Sequence, residues 1–345
     1  MNFGLVFDVA TERAPFDRVL DQCTPVLHLA EELGFEFLAL TEGFPTARLD
    51  GTAPSLLLLL AALANRTSLR LGTSVTMLPL WNPLRLAYDA ASLDQISGGR
   101  LDLGVAIGHP WLDSRFGFAG GNAAQWMGEV LQALKALWTG QDGFEGQLVR
   151  IQGGVRPLPR QPGGPPLLVG GNAGVSVRRA ARYGDGWISS IVQLLPEFRK
   201  RVQQYHAALC EAGKDPARMP ILANKPAFVA DTDERARAEC APYVKSVLKT
   251  YAEVGALHAP SDPDDPDSPM EHVRFDDPRL LERSADCYFL GSPDSVIRQV
   301  QRYKEAGATG LQFRVMTKDT PMDVVERSVT LLGQHVLPHF KQRRT

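Results

Sequence analysis

The sequence predicts an α/β fold, a closed (β/α)8 TIM barrel with insertion segments, formed as a single domain by residues 1–345. Eight short apolar runs alternate with amphipathic helical stretches along the chain, which is the order of elements in such a barrel. Several runs are apolar almost throughout, as parallel strands covered on both faces are. An open doubly wound sheet is the main alternative, but the first strand lacks the G-x-G-x-x-G turn of the dinucleotide-binding fold.

The predicted strands are short and are bounded by glycine, proline or polar residues. They are Phe3–Phe7, Phe37–Leu40, Leu69–Val75, Leu101–Ala106, Pro166–Val169, Gly186–Ser189, Ile221–Val229 and Gly310–Val315. A capping residue followed by proline, which is a helix-start signal, precedes several of the intervening segments. These signals are Thr24-Pro25, Asn82-Pro83, Ser292-Pro293 and Thr320-Pro321.

Two segments interrupt the alternation. Residues at about 142–161 contain scattered glycine and proline among alternating apolar residues, which predicts a hairpin excursion. Residues at about 231–286 form a longer insertion that includes "APSDPDDPDSPMEH" at 259–272. Such a composition is typical of a solvated loop, although a long loop can also close over a site as a lid. Both interpretations remain open, and we describe the insertion as lid-like.

Charge and cysteine content exclude several classes of protein. The formal net charge of -2 offers no electrostatic attraction for nucleic acid or an anionic membrane. The leucine run at Leu56–Leu60 is too short to span a bilayer, and the N-terminus lacks the basic start of a signal peptide. The four cysteines are far apart and lack metal-ligand spacing, which is typical of a reducing compartment. We therefore expect a cytoplasmic protein.

Functional residues of a barrel lie at the C-terminal ends of its strands. Those ends carry Asp8, Thr41, Glu42, Phe44, Ser74, Val75, Thr76, Gly108, His109, Gly170, Gly171, Asn172, Ser189, Ser190, Asn224, Lys225 and Arg314. Only one histidine lies at these strand ends, and the chain has no G-x-S-x-G or HExxH motif. Both observations argue against metal-assisted hydrolysis, so no metal site is predicted. Small, hydroxyl and amide residues beside apolar ones suit a large planar cofactor.

The stretch "PPLLVGGNAGVSVRRAARYGDGW" at 165–187 places two glycines between a strand and a helix. A helix N-terminus offers free N–H groups to a phosphate. A tight turn capped by Asn172 explains the same residues. The residues alone leave both explanations open.

Three stretches together resemble the bacterial-luciferase-like flavin monooxygenases. They are the one just quoted, "LRLGTSVTMLPLWNPLRLAYDAASLDQISGGRLDLGVAIG" at 69–108 and "FLGSPDSVIRQVQRYKEAGATGLQFRV" at 289–315. The resemblance implies a (β/α)8 barrel that binds reduced FMN or, in a sister branch, a 5-deazaflavin coenzyme. It implies that the two glycines and Asn172 hold the cofactor phosphate, and that Ser74-Val75 is a cis peptide against the flavin ring. The expected cofactor-binding residues are Ser74, Val75, Thr76, Gly108, Gly170, Gly171, Asn172 and Ser189.

Catalytic and substrate-binding residues are predicted on the same basis. Where relatives carry histidine after the second strand, this chain has Glu42 and Gly43. Glu42 is therefore either a catalytic base or ring-edge partner, or a carboxylate that caps a loop. His109 is either a proton donor or a loop-fixing residue. The predicted substrate-binding residues are Phe7, Phe44, Trp111 and Arg314. Arg314 either meets an anionic group of the substrate or cofactor or pairs with a nearby carboxylate.

The function implied by the resemblance is that of a monooxygenase. Reduced FMN from a separate flavin reductase would react with O2 to give a C4a-peroxyflavin that oxygenates a small organic substrate. A deazaflavin-dependent hydride transfer and a non-catalytic flavin-binding protein are the alternatives. By analogy with the family we also expect a homodimer.

Overall fold

The computed structural model describes residues 1–9, 17–42, 55–108, 122–253, 255–262, 265, 268–317 and 320–341. Its strands are short, and several are fully buried. They are β1 (Asn2–Phe7), β2 (Phe37–Leu40), β3 (Arg70–Thr73), β4 (Thr76–Met77), β5 (Leu101–Ala106), β6 (Gly143–Glu145), β7 (Arg150–Gln152), β8 (Leu167–Gly170), β9 (Gly186–Ser189), β10 (Ile221–Val229), β11 (His258–Pro260), β12 (Met270–His272), β13 (Phe289–Gly291) and β14 (Gly310–Met316).

Eight parallel strands close into a barrel, which confirms the predicted fold class. They follow the order β1, β2, β3, β5, β8, β9, β10 and β14, and β14 pairs with β1 to complete the circle. The short strand β4 continues the line of β3 and pairs with β5, and β13 adds to the outer edge of β10. Because all barrel strands are parallel, their C-terminal ends meet at one rim, which we call the mouth.

Helices follow most of the strands and cover the barrel. They are α1 (Asp17–Glu32), α2 (Leu56–Leu63), α3 (Pro83–Ile96), α4 (Ala123–Trp138), α5 (Gly174–Tyr183), α6 (Leu195–Glu211), α7 (Asp233–Glu253), α8 (Leu280–Arg283), α9 (Pro293–Glu305), α10 (Met322–Leu331) and α11 (Leu337–Phe340). None of these described helices combines the length and the apolar character needed to cross a membrane.

Two of the four predicted helix starts are correct, and two are not. Thr320 does not cap α10, because Pro321 is its N-cap residue and the helix begins at Met322. Asn82 and Ser292 cap α3 and α9, with side-chain oxygens that accept from the N–H groups of Arg85 and Ser295. Thr24-Pro25, in contrast, lies inside α1. Buried apolar side chains on both sides of Pro25 favour one continuous helix, which outweighs the single backbone bond that proline removes.

The two interruptions have defined structure in their described parts. In the first, β6 and β7 form an antiparallel hairpin. The second contains the 21-residue helix α7 and an antiparallel pair of β11 with β12. Much of the second segment is thus regular structure that packs in its own apolar cluster with Val192 and Phe228. Its closure over a site stays a prediction.

Candidate functional site

A layer of three buried polar side chains crosses the barrel at the level where β3 ends. The Ser74 hydroxyl donates to Gln312 Oε1 at 2.8 Å and accepts from Asn224 Nδ2 at 2.9 Å. Gln312 lies on β14 and Asn224 on β10, so the layer joins three strands. The sequence placed Ser74 and Asn224 at strand ends but missed Gln312. Its two-residue spacing from Arg314, which puts both on one face of β14, was the available signal.

Val75 and Gly170 form an apolar contact next to this layer. The peptide bond between Ser74 and Val75 is cis, as the resemblance implies. Val75 packs against the cluster of Leu168, Ile188 and Leu222 inside the barrel. A Cβ atom added at Gly170 would lie 3.2 Å from Val75 Cγ1, so glycine allows the close approach.

Gly171 corrects one expectation for the phosphate site. Its N–H donates to the carbonyl oxygen of Ile188 at 3.2 Å, so this amide is already occupied. Gly171 has φ +141, and an added Cβ would lie 2.7 Å from Ser176 Cβ, which explains why glycine stands there. The unpaired amides of an α-helix belong to its first turn, which in α5 starts at Gly174. A phosphate would therefore meet the first turn of α5 rather than the Gly171 amide.

Asn172 links two loops at the mouth and does not cap α5. Its Oδ1 accepts from the Ser190 N–H at 2.9 Å, and its backbone oxygen accepts from Arg201 Nε at 2.6 Å. The N-cap residue of α5 is Ala173, which makes no side-chain cap. The interpretation of Asn172 as a helix cap is therefore wrong. Its side chain instead fixes the end of β8 against the residue that follows β9.

Two further predicted cofactor residues are buried hydroxyls. Thr76 Oγ1 and Ser189 Oγ have no hydrogen-bond partner in the described part of the chain. Unpaired buried polar atoms are uncommon and call for an explanation such as an unseen ligand or water. Together with Gly170 beside Val75 and the first turn of α5, these hydroxyls fit a large cofactor that carries hydrogen-bond acceptors and an anionic end. Gly108, which has φ +81, is the last described residue after β5.

Glu42 lies directly after β2 and uses both carboxylate oxygens. Oε2 accepts from the Met77 N–H at 2.5 Å, and Oε1 accepts from Trp81 Nε1 at 2.9 Å. Burial raises the pKa of this carboxyl from 4.5 to about 7, although the two hydrogen bonds oppose the shift. Glu42 thus holds the turn at 78–80 in place and titrates near neutral pH.

Arg314 and Phe7 differ in their suitability for a substrate. Arg314 is 8% exposed, its guanidinium lies 3.9 Å from the Asp8 carboxylate, and its Nε has no partner among the described residues. Phe7 is fully buried in the main core cluster with residues of α1. The structure therefore leaves Phe7 out of a substrate pocket. Phe44, His109 and Trp111 lie outside the described residues.

Two other features bear on what the barrel can hold. Within the described ranges, no group of histidine, cysteine and acidic residues could bind a metal ion. A cavity of about 400 Å³ opens at the end opposite the mouth, between Asn2, Arg70 and Asp102, and reaches Gln312. It lies below the polar layer and shares Leu168 and Leu222 with the apolar cluster that Val75 contacts.

Comparisons with known proteins agree with this architecture. A profile of the luciferase-like monooxygenase family matches residues 1–310. The oxygenase component of flavin-dependent trigonelline monooxygenase from Acinetobacter baylyi is 27% identical, over 98% of this chain and 94% of its own length. F420-dependent glucose-6-phosphate dehydrogenase 1 from Rhodococcus jostii is 28% identical, over 84% of this chain and 87% of its own.

A solved structure shares the whole fold. The monooxygenase RslO1 from Streptomyces bottropensis superposes with a TM-score of 0.83 and 24% identity, and the match covers 99% of this chain and 100% of that one. The family therefore includes both flavin-dependent monooxygenases and F420-dependent oxidoreductases. By the match over most of its length, this chain belongs to the luciferase-like monooxygenase family.

Proposed function

We propose that this protein is a flavin-dependent monooxygenase that uses reduced FMN and O2 to oxygenate a small organic substrate. The arrangement around Val75 carries the proposal: a Cβ atom at Gly170 would lie 3.2 Å from its side chain, and the strand residues Thr76 and Ser189 carry buried hydroxyls that have no hydrogen-bond partner among the described residues. The trigonelline monooxygenase component, which is flavin-dependent, supports a flavin over F420, since it matches 98% of this chain and the F420-dependent dehydrogenase matches 84%.

The residues of the mouth would bind and orient the cofactor. Val75 offers an apolar surface for a planar ring, and the missing Cβ at Gly170 keeps that surface flat. The first turn of α5, from Gly174 on, directs free N–H groups and the positive end of the helix dipole at a phosphate. Arg201 fixes this turn through the Asn172 carbonyl oxygen. Reduced FMN, when bound, supplies the electrons that activate O2.

Substrate recognition would come from the opposite side of the mouth. Arg314 would bind an anionic group of the substrate, because its buried Nε has no acceptor among the described residues and only its Nη1 side faces the Asp8 carboxylate. Glu42 exchanges a proton near neutral pH, and protonation at Oε2 would remove an acceptor from the Met77 N–H. We assign Glu42 to holding the wall at 77–81. His109, Phe44 and Trp111 stay predicted contributors.

The test separates the cofactors directly. The purified protein is titrated with reduced FMN and, separately, with reduced F420 under anaerobic conditions, and each complex is then mixed with air-saturated buffer. We expect reduced FMN to bind and to regain its oxidised absorbance more slowly than free FMN, because the site excludes water. A reductase with NADH then tests O2 consumption in the two-component form, and sedimentation tests the proposed homodimer.

Three outcomes would contradict the proposal. Tight binding of F420 without FMN binding would assign the chain to hydride transfer. Binding of reduced FMN with reoxidation as fast as in free solution would indicate a flavin-binding protein without turnover. Failure of both coenzymes to bind would remove the flavin site altogether.

A further inference from the structure

Lys225 is a fully buried lysine on β10 that contacts the loop after β9. Its Nζ donates to the carbonyl oxygens of Ile191 at 2.6 Å and Gln193 at 2.7 Å. Both carbonyls belong to residues 190–194, which join β9 to α6 and which we call the β9–α6 loop. Burying an ammonium group is costly unless it is paired. Across the described residues, Lys225 makes no ion pair with a carboxylate, so these two carbonyls are its main ligands.

The surroundings of Lys225 confirm that its charge is directed at the loop. Its Nζ lies 5.2 Å from the centre of the Tyr303 ring, a favourable cation–π arrangement. Asp286 is near but is engaged elsewhere: its Oδ1 lies 3.1 Å from Arg302, and its Oδ2 accepts from the Leu195 N–H at 3.2 Å. The carboxylate therefore caps the start of α6 and leaves the two carbonyls to Lys225.

The β9–α6 loop is held by packing as well as by hydrogen bonds: Val192 and Leu194 are buried in the second apolar cluster, and the Gln193 N–H donates to the Ser190 carbonyl oxygen at 3.3 Å. The side-chain amide of Gln193 is buried and has no hydrogen-bond partner among the described residues. The Ser190 N–H donates to Asn172 Oδ1, which ties the loop to the end of β8 just before α5. Lys225 is therefore linked, through the β9–α6 loop and Asn172, to the residues just before the first turn of α5.

We propose that Lys225 is a positioning residue of the cofactor site, which holds the β9–α6 loop and, through Asn172, the phosphate-binding turn of α5. The link to a cofactor rests on the proposed function, whereas the contact between lysine and loop does not. A matched control exists at the other end of the barrel. Lys214 also donates to a backbone carbonyl, that of Gly184 at 2.8 Å, but lies far from the mouth.

Titration of Lys225 gives a signature that a purely structural role would not produce. Burial lowers the pKa of Lys225 to about 8, and the Asp286 carboxylate opposes this shift. Burial raises the pKa of the Cys287 thiol to about 11 and raises that of Tyr303 well above its usual value. Cys287 and Tyr303 thus keep their protons between about pH 7 and 9.5, the window in which Lys225 loses its charge. Arg302, paired with Asp286, is the other charged group here.

The first experiment measures hydrogen exchange in the protein without cofactor. We compare the wild type, Lys225→Met and the control Lys214→Met at neutral pH. Lys225→Met should raise exchange in residues 187–195 about tenfold, with the other barrel strands unchanged, because local opening depends on local anchors. Unchanged exchange in this segment would overturn the proposal. If Lys225→Met does not fold, the wild type decides: its protection at 187–195, corrected for intrinsic rates, must fall between about pH 7 and 9.5.

The second experiment measures anaerobic binding of reduced FMN over the same pH range. We expect Lys225→Met to weaken binding about fivefold at pH 7, as one lost hydrogen bond would. The wild type and Lys214→Met should weaken as pH rises past about 8, and Lys225→Met should lose that extra step. A variant that follows the wild-type profile overturns the proposal. If FMN does not bind the wild type, the proposed function fails, and hydrogen exchange still tests the contact with the loop.

Discussion

Replacing Glu42 with glutamine tests whether burial outweighs the two hydrogen bonds in setting the pKa of this carboxyl. In the folded protein burial raises the pKa to about 7, compared with the ordinary 4.5. The folded state therefore holds this proton more tightly than the unfolded state does. Stability from this group is fully present below about pH 4.5 and is lost as pH rises towards 7.

The size of the effect follows from the two pKa values. Their difference, 7 minus 4.5, is 2.5 units, and each unit is worth about 1.4 kcal/mol, so the change is about 3 kcal/mol. Glutamine carries no titrating proton, so the Glu42→Gln variant should lack this component. It retains one acceptor oxygen, so either the Met77 N–H or Trp81 Nε1 loses its partner, at a constant cost of about 1–3 kcal/mol.

The assay is urea unfolding, followed by tryptophan fluorescence, at pH 5 and pH 8. We expect the free energy of unfolding of the variant, relative to the wild type, to increase by about 2–3 kcal/mol from pH 5 to pH 8, because the wild type loses this contribution and the variant does not. Glu32→Gln, at an exposed position of α1, controls for the loss of one charge. A relative change below about 1 kcal/mol, or one of opposite sign, would refute the reasoning, since Glu42 would then be well solvated.

Two further predictions concern the mouth. Gly171→Ala should lower the free energy of unfolding by about 1–3 kcal/mol more than the control Gly213→Ala. Both residues have positive φ, but only Gly171 lacks room for a Cβ, which would meet Ser176. Equal losses in urea unfolding would contradict this. Asn224→Leu and Gln312→Leu should each cost about 1–3 kcal/mol, and the double variant should cost less than their sum, because both side chains bond one hydroxyl. A double-mutant cycle measures this, and strict additivity would contradict a single network.

The hydrophobic pattern predicted the barrel strands well but missed breaks made by polar groups. Ile221–Val229 was predicted with its observed bounds because it is buried along its whole length. The third strand was predicted to run to Val75 but ends at Thr73 and resumes at Thr76. The interruption comes at Ser74, whose hydroxyl bonds other strands. Because its partners are distant in sequence, this bond does not alter the local hydrophobic pattern from which the strand was predicted.

Helix α7 was missed although its stripe of buried residues is visible. Cys240, Val244, Leu248 and Ala252 recur every four residues and are buried on one face, as a helix requires. Pro242 inside the helix and the acidic stretch that follows it hid this signal. Composition was a poor guide here because it averages a regular helix with its irregular neighbour.

Residues at strand ends were predicted more readily than the contacts they make. Glu42 was left open between catalysis and a structural role, and the two donors that decide its geometry, Met77 and Trp81, lie 35 and 39 positions away. For Asn172 the residues left a local cap and a phosphate contact open, but its side-chain partner is Ser190 on the next loop. Local sequence patterns describe bonds within a turn, whereas these bonds join turns that only the closed barrel brings together.

The anchors of the mouth share one arrangement, in which a side chain from one strand end holds the backbone of another. Glu42 after β2 holds residue 77, Lys225 on β10 holds the β9–α6 loop, and Asn172 after β8 holds Ser190. Barrel closure itself depends on strand pairing and the apolar core, and these bonds contribute little to it. Loss of one anchor should therefore shift a neighbouring loop and weaken ligand binding as well as lower the free energy of unfolding. Because loss of any buried polar residue can lower stability, cofactor affinity is the quantity that should separate these anchors from ordinary buried polar residues.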